Sequence, residues 1–232
     1  MSMHLSLPYN ELQCYVAKQL EHYYPDQYAM RGDDVDQAFS AALERLEYSF
    51  SRTTLRGYSN GRGTASFSHL HSDQYSQFLY YFANSLWTLS QNKPICDKLI
   101  GLNKALNGCF FSYKCKLPDV FLLAHPVGSI IGNAGYSDFL VISQNVTINT
   151  GTEQGPDCLP KLGKGLFLGA GAKIIGQEPI GDRVSIGVDA VVYNQAIPDD
   201  KVVERTPSGE IVVRNRKAER CKAQIYFNVE IE

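Results

Sequence analysis

Residues 162–192 read Leu-Gly-Lys-Gly-Leu-Phe-Leu-Gly-Ala-Gly-Ala-Lys-Ile-Ile-Gly-Gln-Glu-Pro-Ile-Gly-Asp-Arg-Val-Ser-Ile-Gly-Val-Asp-Ala-Val-Val. A branched apolar residue returns every sixth position, at Leu162, Leu168, Ile174, Ile180, Ile186 and Val192, and Leu162, Leu168, Ile180 and Ile186 are each followed directly by glycine. Four positions on stands a small or apolar residue, at Leu166, Ala172, Val184, Ala190 and Ala196, with Glu178 as the exception. This period matches neither a helix nor a long alternating strand; it matches short strands that turn a corner after each hexad. Three hexads make one coil of a triangular prism: the branched residue stacks inward on its equivalent in the next coil, and glycine permits the tight corner. The stretch therefore predicts a parallel β-helix.

Working outward, counting back in sixes from Thr147 gives Val141, Gly135, Ser129 and Leu123, a degenerate continuation of the pattern. Residues 150–160 break the period and read as a loop thrown out of the prism. Residues 1–108 carry helical spacing instead. Asp33 or Asp34 caps a helix with the face Val35, Ala38, Phe39, Ala42, Leu43 and Leu46; Ser72 caps another bearing Tyr75, Phe78, Leu79, Phe82 and Leu86. Two more follow Pro8 and Pro94, the latter ending at Asn107-Gly108. The aromatic stripe Phe78, Tyr81, Phe82, Trp87 reads as core or interface. The expected class is α+β: an all-helical domain over 1–108, a β-helix over 109–203, and an extended tail over 204–232, where Ile211, Val213, Ile225, Phe227 and Val229 alternate.

Bulk properties exclude several function classes. With 232 residues, 44% of them hydrophobic, the chain can build a core, and a formal charge of -2 offers no footprint for nucleic acid or anionic membrane. The opening Met1-Ser2-Met3-His4 has no secretory pattern, and no stretch is apolar enough to span a bilayer, so the expected compartment is cytoplasmic. Six cysteines without CxxC spacing read as free thiols.

Of five histidines only His125 falls in the repeat region, so a three-histidine zinc site cannot close there. His125 takes the third place of its hexad and points outward, where an imidazole can serve as a general base; a chance surface histidine is the alternative. His69 and His71 make a poor metal pair without a third ligand, and a capping or packing role is their default. The run Gly57-Tyr-Ser-Asn-Gly-Arg-Gly-Thr lacks the ending of a phosphate loop and reads as a connection between helices.

The segments Leu-Pro-Asp-Val-Phe-Leu-Leu-Ala-His-Pro-Val-Gly (117–128), Gln-Asn-Val-Thr (144–147), Pro-Lys-Leu-Gly (160–163) and Leu-Gly-Ala-Gly-Ala-Lys-Ile-Ile-Gly (168–176) resemble serine acetyltransferases of the hexapeptide-repeat acyltransferase superfamily. The resemblance implies a left-handed β-helix that forms a homotrimer, or a dimer of trimers joined by the helical domain. It implies acetyl-CoA as co-substrate, held in a groove lined by Thr150, Gly151, Gly169, Ala170, Gly171, Ala172 and Lys173, with no metal and His125 as catalytic base. Asp157 and Cys158 in the loop, with His71 and Asp73 from the helical domain, are the expected acceptor contacts. Three family positions differ. Ala124 stands where the family has an aspartate before the histidine, Phe110 where it has an orienting aspartate, and Cys158-Leu159 where it has Arg-His. A backbone carbonyl or Asp119 is then expected to orient His125, and the acceptor is L-serine or, with those charges missing, a sugar hydroxyl. A non-catalytic β-helix scaffold is the second reading.

Overall fold

The structure, a computed structural model, describes residues 2–60, 63–149 and 159–232. Thr150, Gly151, Asp157 and Cys158 lie outside the described residues.

Four helices build the N-terminal part: α1 (Tyr9–Tyr23), α2 (Asp33–Phe50), α3 (Ser72–Ser90) and α4 (Lys93–Asn107). Two expected caps sit one residue early. Gly32 and His71, not Asp33 and Ser72, hold the N-cap positions of α2 and α3, so Asp33 and Ser72 begin their helices. The region is also not purely helical, because β1 (His4–Leu5) pairs in parallel with β2 (Ser66–Phe67). The third helix is the centre of this part. Residues 73–84 are buried on every side, with Phe78, Tyr81 and Phe82 fully enclosed and the polar Asp73, Gln74, Ser76, Gln77 and Asn84 buried with them, so the helix is surrounded by α2, α4 and the prism. Gly108 ends α4 in the left-handed conformation (φ 64°) and its N–H bonds back to Lys104.

The prism follows. Its strands are β3 (Phe110–Phe111), β4 (Phe121–Leu123), β5 (Ile130–Ile131), β6 (Gly135–Tyr136), β7 (Leu140–Ile142), β8 (Thr147–Ile148), β9 (Lys161–Leu162), β10 (Phe167–Leu168), β11 (Lys173–Ile175), β12 (Ser185–Ile186), β13 (Val191–Tyr193) and β14 (Lys201–Arg205). Parallel pairing stacks them into three faces: β4-β7-β10-β12-β14, β3-β5-β8-β11-β13, and β6-β9 extended by bridges from Leu162 to Ile180 and Ile180 to Ile197. Leu162, Leu168, Ile174, Ile180, Ile186 and Val192 are all 2% exposed or less, so the hexad reading of the C-terminal coils holds. The next step breaks it: that coil advances 17 positions between paired residues, so Ile197 takes the inward place, five after Val192, and Ala196 is exposed where Leu166, Ala172, Val184 and Ala190 are buried. The backward count lands on Leu123, which pairs with Ile142, misses by two at Ser129, where Ile131 is inward, and is off by one at the other three positions. Register pairs Ile148 with Ile174 and Ile142 with Leu168, which puts Ile148, Ile142 and Tyr136 inward instead of Thr147, Val141 and Gly135.

The helices dock on the first coil through buried polar groups. Ser49 and Gln77 donate to the Phe121 carbonyl (3.1 and 3.0 Å), Tyr81 to the Asp119 carbonyl (3.1 Å) and Tyr80 to the Cys115 carbonyl (2.7 Å). These bonds satisfy carbonyls that the end of a β-helix leaves open. Past the prism, β15 (Ile211–Asn215) returns antiparallel to β14. The alternation over Ile225 and Phe227 does not make a strand: residues 222–226 form a 3-10 turn whose Tyr226 carbonyl accepts from Thr53 and Thr54, tying the tail to the helical part.

Candidate active site

The corner after β4 carries two residues more than the period of the prism. Between inward residues the chain advances six positions from Ile142 to Ile148, Leu168 to Ile174 and Ile186 to Val192, but eight from Leu123 to Ile131. The surplus forms a bulge at Ala124, His125 and Pro126. His125 sits there at φ 56°, a left-handed conformation costly for a residue with a side chain and retained only where the surroundings dictate it. Its side chain is 85% exposed.

What dictates the bulge is Asp73, in the first turn of α3. Its carboxylate is 5% exposed; Oδ2 accepts the His125 backbone N–H at 3.0 Å and stands 3.2 Å from the ring Nδ1. Oδ1 accepts from the Ser72 hydroxyl at 3.3 Å. A buried anion is tolerable here because the N-terminus of α3 points at it and each oxygen has a donor. A carboxylate only accepts, so Nδ1 carries the proton and Nε2 is left as the basic nitrogen facing solvent. The partner of His125 is therefore Asp73, not Asp119 or a backbone carbonyl.

Behind the carboxylate stand buried groups that carry no charge, Tyr58 and Cys109. Tyr58 is buried with its ring edge-on to His71 at 5.3 Å, and burial, with the Asp73 charge, pushes its phenol above the ordinary range. Burial pushes the Cys109 thiol up to about 11, so this neighbour, 3.1 Å from the Ser76 hydroxyl, remains protonated and is no nucleophile. His71 is exposed at the N-cap of α3 and makes no capping bond through its side chain. His69 hydrogen-bonds Ser6 at 2.8 Å and packs on Tyr15.

The expected donor-groove residues share this edge of the prism. Backbone bonds run from Asn145 to the Val127 carbonyl, Gly171 to Gln144 and Asp189 to Ala170, so Val127, Gln144, Ala170 and Val188 form one column. At the spacing of hydrogen-bonded strands, Ala170 lies two coils, ~10 Å, from the bulge. The N–H groups of Gln144, Ala170 and Val188 have no acceptor among the described residues. Ala172, by contrast, is fully buried and points into the core. Gly169 and Gly171 are small for the coil itself: a Cβ on Gly169 meets the Gly187 backbone at 3.1 Å, and one on Gly171, at φ 71°, meets Asp189 Oδ1 at 2.0 Å. Lys173 is half-buried, with Nζ on the Gly171 carbonyl at 2.9 Å. Among the described residues no group of three or more His, Cys, Asp or Glu could hold a metal, and no helix is long and apolar enough to cross a membrane.

Fold and site together define a hexapeptide-repeat β-helix protein with a helical N-terminal part. Within that class the sequence is similar to serine acetyltransferases. It is 30% identical over 131 residues to the serine acetyltransferase of Synechococcus elongatus, covering 56% of this chain and 53% of that protein. With the Haemophilus influenzae enzyme it shares 33% over 105 residues, 44% and 38% of the two chains. The chain thus spans about half the length of the first of these curated relatives and less of the second. In fold it matches the serine acetyltransferase of Vibrio cholerae with a TM-score of 0.68 at 22% identity, covering 91% of this chain and 81% of that one. The Brucella abortus serine acetyltransferase in complex with coenzyme A gives 0.65 at 21%, covering 90% and 84%. No family model matches.

Proposed function

We propose that the chain is an acetyl-CoA-dependent O-acetyltransferase in which His125 is the general base and Asp73 its positioning partner. The observation that carries this reading is a solvent-facing imidazole, backed by a buried carboxylate, on the same prism edge as residues 169–173. Similarity to serine acetyltransferases supports it independently.

His125 Nε2 takes the proton of the acceptor hydroxyl as its oxygen attacks the thioester carbonyl carbon. The carbonyl electron pair moves onto oxygen, where free N–H groups of the edge can receive it. Collapse breaks the C–S bond, and the imidazolium returns the proton to the departing sulfur. Asp73 stays ionised throughout, fixes the tautomer through Nδ1–H and balances the transient positive charge. A thioester is already activated, so a base worth about 10²–10⁴-fold, with oriented substrates, is sufficient. Gly169, Ala170, Gly171 and Lys173 hold the donor arm, and His71 contacts the acceptor, a small hydroxyl compound that is L-serine or a sugar.

The edge offers only one wall of a groove, and the second is another prism. Phe110, Ile130, Thr147, Lys173 and Val191 stack outward in one column, with Phe110, Ile130 and Val191 about 40% exposed. Covering this face by a second copy, repeated threefold, gives a homotrimer; two such trimers joined by their helices give six copies. Ile130→Arg with Val191→Arg is expected to yield monomers by sedimentation and to lose acetyl transfer, although His125 is untouched. A fully active monomer would rule the shared groove out.

The decisive assay is acceptor-dependent thiol release from acetyl-CoA across L-serine, sugars and amino sugars, with His125→Ala in parallel. Release that the variant loses, while acetyl-CoA still binds, supports the reading and names the acceptor. Absence of both turnover and acetyl-CoA binding would overturn it in favour of a scaffold.

A further inference from the structure

Away from the His125 corner, the helical part and the first coil form a cavity of about 720 Å3, a volume in the range of small-ligand sites. It lies between α2, the C-terminal half of α3 and the segment 114–119 that leads into β4. Asp73 and Asn84 are eleven positions apart on α3, so about 16 Å of helix separates the cavity from the carboxylate behind His125. None of its lining residues belongs to the acyl-transfer edge.

The charge of this cavity is unbalanced. Arg45, Lys114 and Lys116 line it against one acid, Asp119, in a chain whose net charge is -2. None of the three cations has a carboxylate within ion-pair distance among the described residues. Asp97, which accepts from the Tyr113 hydroxyl at 2.8 Å beside Lys114 in sequence, is already paired with Lys93. Unpaired cations around one concave surface repel one another, and an anion held between them removes that cost.

Arg45 is built for such a ligand. Its guanidinium lies over the Tyr81 ring, 4.2 Å from the centroid, and Nη1 donates to Asn84 Oδ1 at 2.8 Å and to the Ser85 hydroxyl at 3.1 Å. Asn84 is oriented in turn by its own bond to the Tyr113 carbonyl at 2.8 Å. Both Nη1 hydrogens are thus spent, which leaves the Nε and Nη2 edge as a fork of two donors with no acceptor among the described residues. That edge fits two oxygens of one oxyanion. Lys114, whose Nζ lies 5.0 Å from the Trp87 ring centroid, and Lys116 supply the point charges that complete a phosphate site.

Charge decides between oxyanions. Three cations and Asp119 leave an excess of two, which a single carboxylate does not neutralise and a phosphate, carrying about -1.5 to -2 near neutral pH, does. Asp119 is then free to accept from a hydroxyl on the body of the ligand. We propose that this cavity binds a small phosphate-bearing compound, either a phosphate monoester of a hydroxylated body or inorganic phosphate itself. The inference does not depend on the proposed acyl transfer.

The test compares wild type with two variants by titration calorimetry, using glucose 6-phosphate, inorganic phosphate and succinate as probes. Lys114→Gln/Lys116→Gln removes two exposed charges outside the catalytic machinery; Arg45→Lys keeps the charge and removes the fork, and thermal denaturation checks the folding of both. Wild type is expected to bind the phosphate compounds with an affinity that falls with added salt, and about tenfold or more in the double variant, as charge-assisted hydrogen bonds are lost. Arg45→Lys should weaken binding as well. Trp87, the single tryptophan of the chain, lines the cavity, so its fluorescence should follow the same titration. Tighter binding of glucose 6-phosphate than of phosphate supports the site with a monoester as ligand; equal affinities support it with free phosphate. Succinate bound as tightly as phosphate, equal binding by wild type and the double variant, or no phosphate binding by wild type would overturn the inference, whatever the turnover.

Discussion

Asp73→Asn isolates the one contact that converts a surface histidine into a base. Asparagine keeps the shape, and its Oδ1 can still accept the His125 N–H, so the bulge should persist; only the charge facing Nδ1 at 3.2 Å disappears. The interaction of that charge with a full positive charge on the ring is about 1 kcal/mol at the dielectric of water and about 5 kcal/mol at the effective value near a protein surface. The carboxylate is buried but the ring is 85% exposed, which puts the loss between these limits, at about 2–3 kcal/mol. That converts to a fall in kcat of roughly 30- to 150-fold. The measurement is thiol release at saturating acetyl-CoA and acceptor, beside thermal denaturation of both proteins. Asp73→Ala should reduce kcat similarly and also cost about 1–3 kcal/mol of stability, because the His125 N–H is left without an acceptor. A kcat for Asp73→Asn within about threefold of an active wild type, below 1 kcal/mol, would refute the assignment.

Gly163→Ala should lower the melting temperature sharply. Its Cβ would lie 2.4 Å from the Gly181 carbonyl carbon and oxygen, which as backbone of the next coil cannot move aside, and overpacking of this kind costs about 1–3 kcal/mol or more. Leu168→Ala opens a hole between Ile142 and Ile186 in the prism core, and a loss of about 2–5 kcal/mol is expected from the denaturant midpoint. Acid should release the tail hairpin. Hydrogen bonds from Arg183, and then from Arg216, hold the Asp200 carboxyl at about 2, below its ordinary value. Its contribution is therefore intact above about pH 4 and disappears as pH falls through about 2. Amide exchange over Ile211–Asn215 should accelerate across that window, and Asp200→Asn should abolish the pH dependence while leaving exchange fast; a flat profile in wild type would count against the anchor.

The legible parts of this fold are those where one physical rule acts alone. From Leu162 to Val192 each coil stacks on an identical coil, so the inward position is set by a fixed count and the branched residues announce it. Earlier coils lie under helices, and there the count fails. The Ala124, His125 and Pro126 bulge adds two residues because Asp73 and the helical part support it, and Ile131 to Ile148 is a coil of 17 positions. Once coil lengths vary, Thr147 and Ile148 cannot be told apart by stepping in sixes. The cap differences at Gly32 and His71 are smaller, since an acidic or hydroxyl residue suits the first turn as well as the cap.

The sequence by itself determined the parallel β-helix, the four helices before it and the candidacy of His125, because periodicity and residue type are local properties. It also placed Asp73 near the site, but as an acceptor contact, since nothing within 52 positions of intervening chain ties a helix N-terminus to a prism corner. Only tertiary structure decided that Asp73 and His125 form a pair, that Ala172 faces the core while Ala170 faces the edge, and that Arg45, Lys114 and Lys116 meet at one cavity. Each of these rests on contact between segments distant in sequence, where side-chain direction and burial, not spacing, set the chemistry.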